Sequence, residues 1–136
     1  MEKPFALTVL TPEREFYSGT AESLTVESID GELCILAGHI PMVAALAVGE
    51  LKIKQGGKLL RAFHSEGFLE VHADATTVLL QACEWPEEID LNRAKEAMER
   101  AEHRLEQQRN TQAVTRSKIA LSRALMRIKV KTTSVN

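Results

Sequence analysis

"EEIDLNRAKEAMERAEHRL", residues 87–105, changes character at Asp90. Before Asp90 the chain is acidic, turn-rich and β-branched; after it Arg, Ala and Glu recur at helical spacing. Leu91, Ala94, Met98, Ala101 and Leu105 follow one another in steps of three and four residues. That spacing draws one narrow apolar seam, as on helices packed side by side. Asp90 suits the N-cap, where a carboxylate accepts from the free N–H groups of the first turn. Glu96 and Arg100 stand in the favoured order for a supporting pair four residues apart. "EQQRNTQ" interrupts the seam with polar residues, Asn110 being the expected turn residue. A second seam runs through Val114, Ser117, Leu121, Ala124 and Ile128. The spacing predicts an antiparallel helical hairpin with arms of ~22 Å and ~25–28 Å. Two narrow stripes bury little alone, so such a hairpin leans on something else or moves. The short tether Trp85-Pro86-Glu87-Glu88 would permit movement.

Upstream of that boundary the period changes to two. Phe5, Leu7 and Val9 alternate with smaller or polar residues before Thr11-Pro12, and Leu24 and Val26 do so before Asp30-Gly31. "ELCIL" is a short apolar run stopped by Gly38, and Leu51 and Ile53 alternate up to the turn Gln55-Gly56-Gly57-Lys58. "LLRAF", "GFLEVHA" and "TTVLLQA" follow, each closed by a Gly, Asp or Pro cluster. Short strands so punctuated predict a sandwich or flattened barrel. The expected fold is therefore α+β: an all-β sandwich over residues 1–86, then an antiparallel α-helical hairpin over 87–136.

The formal charge of −2 conceals a split. Residues 1–90 hold 6 basic against 15 acidic side chains, a net of −9; residues 91–136 hold 11 against 4, a net of +7. Such a chain pairs its halves or offers its basic end to an acidic partner. No window approaches the ~18 apolar residues of a membrane span. Met1-Glu2-Lys3-Pro4 lacks the layout of a signal peptide, so a reducing compartment is expected. Cys34 and Cys83 sit among apolar neighbours without metal or disulfide spacing and are expected to be buried small hydrophobes.

The chemistry offered is mostly cationic. Arg93, Arg100 and Arg104 share the offsets 0, 7 and 11 with Arg116, Arg123 and Arg127. Each set falls within ~40° on one helical face. Two such ridges could converge on phosphates or on an acidic protein surface, or each could be a solvated basic face with partners such as Glu96 and Glu99. Spacing leaves both alternatives open. An Arg three residues after the cap opposes the helix dipole, and a capping box would place Glu or Gln there; the misfit tilts Asp90 and Arg93 toward ligand binding. His39 lies in the loop "LAGHIPM" as a loop-fixing or docking residue, while His64, His72 and His103 have no nucleophile or second ligand at a motif spacing. Phosphate-loop, dinucleotide, serine-hydrolase and zinc-protease motifs are absent, so neither a catalytic residue nor a metal site is expected. The alternative from another class is a nucleic-acid-binding module built on the basic hairpin. Its strand would find Trp85 as the last aromatic for stacking, beside a strongly acidic β domain.

"LTVLTPEREFYSG", "GELCILAGHIPMVAAL", "EGFLEV" and "IDLNRAKEAMERAEHRL" occur in this order along the chain. Together they resemble the epsilon subunit family of F-type ATP synthases over the whole length. The resemblance implies a non-catalytic central-stalk subunit at the cytoplasmic face of the bacterial membrane, peripheral and without membrane insertion. It implies docking of the β domain on the gamma subunit and the c-ring, with Glu32, Gly38, His39, Pro41 and Met42 near the ring-facing end. It further implies a hairpin that extends into the alpha/beta catalytic head and resists ATP hydrolysis, with Arg116, Lys118, Arg123 and Arg127 facing an acidic stretch of the beta subunit. Ile89-Asp90-Leu91-Asn92-Arg93-Ala94 fits the family's I/L-D-x-x-R-A motif, which implies ATP, with or without magnesium, as a regulatory ligand. Family correspondence adds Glu84, Arg100, Arg123 and Arg127 to that site. In this scheme Asp90 addresses the adenine side over an apolar bed of Ile89 and Ala94. Arg93 and Arg100 take the phosphates, and the other arm closes the site only in the compact state.

Overall fold

The computed structural model describes residues 3–133; Met1-Glu2 and residues 134–136, where the two expected domains begin and end, lie outside the described residues. The chain divides after Glu84 into two compact units.

In the first unit, ten strands form two sheets joined at one corner. One sheet holds β10 (Cys83–Glu84), β7 (Lys58–His64), β6 (Gly49–Gln55), β3 (Ser23–Ser28) and β4 (Gly31–Leu36). The other holds β5 (Met42–Leu46), β8 (Gly67–Val71), β9 (Ala75–Leu80), β1 (Phe5–Leu10) and β2 (Glu15–Ala21). All neighbours are antiparallel except β1 and β9, which are parallel. The junction is the single pair Ser28–Leu46, flanked by Ile29 N–H to Ala45 O at 3.1 Å and Ala47 N–H to Glu27 O at 3.0 Å.

Alternation sets which residues fill the space between the sheets. Leu7, Val9, Leu24, Val26, Ile35, Leu51, Ile53, Leu69 and Val78 are essentially inaccessible. A sandwich interior of this kind is the expected solution for strands with one apolar face. Gly67 allows β8 and β9 to approach so closely that a Cβ there would overlap the Leu79 carbonyl. Gly31, at φ 121°, makes the turn between β3 and β4. Arg14, in the β1–β2 turn, lies 5.1 Å over the Phe16 ring and donates to the Cys83 carbonyl at 3.3 Å, tying an edge of each sheet together. Contrary to expectation, Cys34 is exposed, whereas Cys83 is buried. β4 pairs Ile35 with buried Leu24 and Cys34 with Thr25, so Cys34 points outward beside Glu32 and Leu36.

The second unit contains α1 (Leu91–Gln107) and α2 (Thr111–Thr133), packed as a hairpin. At ~1.5 Å per residue they span about 25 Å and about 35 Å; α2 is longer than its seam because it starts before Val114 and continues past Ile128. Ala94 and Ala101 of the predicted α1 seam and Ser117 and Ala124 of the predicted α2 seam are buried, and so is Val130, which lies off that seam. Asn110 caps α2, its Oδ1 accepting from Gln112 N–H at 2.8 Å and Ala113 N–H at 3.2 Å. Ser117 Oγ donates to Gln108 Oε1 at 2.6 Å near the tip. The tether is a folded element: Pro86–Glu88 forms a 3-10 turn, and Glu88 Oε1 accepts from Trp85 N–H at 2.8 Å. Proline at the first position of that turn has the required φ already fixed. Lys131 Nζ, in the last turn of α2, donates to the Pro86 carbonyl at 3.0 Å and clasps the base of the hairpin.

Candidate functional site

Asp90 performs the structural part of its expected role. Its Oδ1 accepts from Arg93 N–H at 3.1 Å, satisfying one of the amides that a helix start leaves open. Asp90 and Arg93 are exposed, while Ile89 and Ala94, flanking them in sequence, are buried at 4% and 5% exposure. The motif thus presents one acid and one base on a firm apolar footing.

Two hydrogen bonds close the hairpin, Lys131 to Pro86 at its base and Ser117 to Gln108 near its tip. In the antiparallel pair Arg93, Arg100 and Arg104 follow one another from base to tip on α1, and Arg127, Arg123 and Arg116 do so on α2. Arg93, Arg100, Arg116 and Lys118 are exposed; Arg123 and Arg127 are half-buried. Positive charge repeated along both arms favours an anion with several negative groups. Glu84 ends β10, opposite Phe63, and belongs to the first unit.

A second cluster lies on the sandwich. Glu32 is exposed on β4. Gly38, at φ 80°, turns the loop back, and His39 N–H donates to Leu36 O at 3.1 Å. His39 Nδ1 lies 2.8 Å from Ile40 O, so the imidazole fixes the loop. Pro41 is exposed and Met42, half-buried, opens β5. Reasoning from sequence missed the apolar surface in this unit. Ile29, Ile40, Val43 and Phe68 are 57–74% exposed, and Phe68 pairs across the strands with exposed Leu79. Val71 and Leu69 face inward while Phe68 and Glu70 face out, so β8 carries a large apolar residue on each face. Strands with large apolar residues at both parities signal a covered outer face, and that signal was present in "GFLEV" and "TTVLL".

Two titratable groups are displaced from their ordinary values. Burial raises the Tyr17 phenol, which donates to Thr20 O at 2.7 Å. Burial lowers the His64 imidazole, with the hydrogen bond to the Ser65 backbone acting the other way. Among the described residues, no group of three or more His, Cys, Asp and Glu could hold a metal, and no helix is long and apolar enough to cross a membrane.

Two family profiles match consecutive parts of the chain. The ATP synthase Delta/Epsilon chain β-sandwich domain covers residues 4–86, and the long α-helix domain of the same chain covers 87–132. An ATP synthase epsilon chain of Caldanaerobacter subterraneus subsp. tengcongensis is 47% identical over 131 residues, 96% of this chain and 95% of that one. That of Ruminiclostridium cellulolyticum is 47% identical over 124 residues, covering 91% and 92%. Among solved structures, a chain of the Euglena gracilis mitochondrial ATP synthase (OSCP, F1 and c-ring in one rotational state) superimposes with a TM-score of 0.77 at 26% identity, covering 88% of this chain and 76% of that one. A chain of the Tetrahymena thermophila mitochondrial ATP synthase central stalk and c-ring shares the fold at a TM-score of 0.68 and 17% identity, covering 96% and 98%.

Proposed function

Since the chain belongs to the delta/epsilon family of the ATP synthases, as an epsilon subunit of the bacterial F-type central stalk, we propose that it couples rotation to ATP synthesis without catalysing a reaction and that its hairpin is an ATP-responsive brake on hydrolysis. The sandwich is the fixed docking part. Its exposed apolar residues Val43, Phe68 and Leu79 and the loop Gly38–Met42 with Glu32 form the contact with gamma and the c-ring. Removing such a patch from water on assembly contributes roughly 25 cal/mol per Å² of apolar area. The subunit sits peripherally at the cytoplasmic face of the membrane, held there by these partners.

The hairpin is the regulatory part, and one observation carries that reading: a capped Asp90 stands beside exposed Arg93 at the base of two antiparallel arms that each carry three arginines. ATP fits this array because its phosphates answer several arginines at once, while Asp90 hydrogen-bonds the adenine side over the footing of Ile89 and Ala94. Arg93 and Arg100 come from one arm and Arg123 and Arg127 from the other, so the complete array exists only when the arms are closed. A ligand of one conformation shifts the population toward it. With ATP scarce, the arms extend into the catalytic head, where Arg116, Lys118, Arg123 and Arg127 meet an acidic surface of the beta subunit. Truncation after Glu88 therefore raises ATP hydrolysis by the reconstituted enzyme while assembly persists. Unchanged hydrolysis in an assembled complex would remove the brake from the account.

A further inference from the structure

His64 stands where the two sheets are sewn together. β3 pairs with β6 at Ser23–Lys54, Leu24–Ile53 and Thr25–Lys52, then parts from it to reach β5 at Ser28–Leu46. Continuing the first ladder would set Glu27 opposite Glu50. Instead Gly49 passes so near that a Cβ there would overlap the Glu27 side chain. Glu27 N–H consequently donates to a side chain, His64 Nε2, at 3.1 Å. The other ring nitrogen, Nδ1, lies 2.9 Å from Ser65 O. A peptide N–H can only donate and a carbonyl can only accept, so the ring is neutral with its proton on Nδ1. Neither His64 nor Ser65 has accessible surface.

The same corner laces two further crossings. Ser65 N–H donates to Ala82 O at 3.0 Å, Ala82 N–H returns to Ser65 Oγ at 2.8 Å, and Gln81 N–H donates to Glu66 O at 3.2 Å. One imidazole thus links β3 to the corner where the chain leaves β7 for β8 and β9 for β10. The titratable and charged groups around it are Glu27 from β3, Glu50 beside Gly49 on β6, Glu66 on the crossing, Cys83 and Glu84 of β10, and Arg14, which reaches the Cys83 carbonyl. A charged ring could no longer accept from Glu27 N–H.

We propose that His64 is a pH-sensitive pin: its protonation releases the Glu27 amide and loosens the junction of β3 with β5, the strand that follows the Gly38–Pro41 loop. The device is independent of nucleotide and uses no residue of the hairpin. Burial lowers the folded-state value below the ordinary 6.5, so the unfolded chain takes up protons first. The pin's contribution is therefore complete above pH 6.5 and is lost as pH falls through the depressed folded value.

The test uses the full chain. Between about pH 7.5 and about pH 5, the range in which histidine switches, the ratio of the folding equilibrium constants of wild type and His64→Gln falls several-fold. Glutamine can accept the Glu27 bond but does not titrate. In wild type, protection of the Glu27, Ile29 and Ala47 amides, corrected for intrinsic exchange, falls over the same range while that of the β8–β9 ladder holds. A pH-independent ratio, or uniform protection across both sets of amides, would overturn the proposal; if the variant does not fold, the amide measurement alone decides.

Discussion

The sandwich and the hairpin are held together by different amounts of the same interaction. Inside the sandwich, Phe63, Leu7, Leu24, Ile35, Leu51, Ile53 and Leu69 are under 2% exposed. Along the hairpin seam the buried side chains are Ala94, Ala101, Ser117 and Ala124, and the largest below 2% exposure is Val130. A fully buried Leu, Ile or Phe contributes about 1.5–3 kcal/mol, whereas one methyl contributes about 0.8 kcal/mol. The sandwich therefore has stability to spare as a platform. On the proposed reading a ligand decides the state of the hairpin, and binding at 100 times Kd would add about 2.7 kcal/mol. Small residues let the arms pack closely, and on the proposed reading they would also make closing cheap to reverse.

The largest effect tests the platform. Gly67→Ala puts a methyl into the Leu79 carbonyl, a backbone atom that cannot swing aside. We expect a loss of about 3–5 kcal/mol of sandwich stability, read as a lowered urea midpoint. A loss below about 1 kcal/mol would mean the two strands are less tightly coupled than described. Next comes Ala101→Leu, which overfills the seam by a bulk the opposing arm cannot absorb. It should cost the hairpin about 1–3 kcal/mol and leave the sandwich transition in place. Amide exchange along α1 and α2 reads both; equal loosening of the two units would erase the contrast between them.

Asp90 separates structure from ligand. Asp90→Ala removes the cap and about 1 kcal/mol of helix stability. Asp90→Asn keeps an acceptor for Arg93 N–H and so keeps the helix start, yet nucleotide affinity should fall in both variants. Affinity tracking helix stability alone would reduce Asp90 to a cap. The smallest effect is at the clasp. Lys131→Met removes the donor to the Pro86 carbonyl, about 0.5–1.5 kcal/mol, and should speed exchange in the last turn of α2 while the tip at Gln108 and Ser117 stays protected.

How much of this was legible follows from where each signal resides. Period-two alternation marked β3 and β6 because their outward positions are polar; it failed for Cys34 because "ELCIL" is apolar at both parities. The same ambiguity hid Phe68 and Leu79, whose outward direction emerges only from the β8–β9 register. The hairpin was readable in steps of three and four, and Asp90 as a cap, because both signals are local. Asn110 lies in the turn between the helices as expected and also caps α2, a second use of the same side chain that spacing does not reveal. Contacts such as His64 with Glu27 N–H, Arg14 with the Cys83 carbonyl and Lys131 with the Pro86 carbonyl had no sequence signal. In each the partner is a backbone group far along the chain, and backbone groups are the same at every position.

The proposed nucleotide site depends on the motif Ile89–Ala94 and on family resemblance, and its decisive test is a calorimetric titration of the chain with ATP, run beside Arg93→Ala. The account predicts saturable heat for the native chain, strongly weakened in the variant, together with ATP-dependent slowing of amide exchange in both helices. A well-folded native chain that gives no heat at millimolar ATP, or an Arg93→Ala variant that binds equally well, would contradict it.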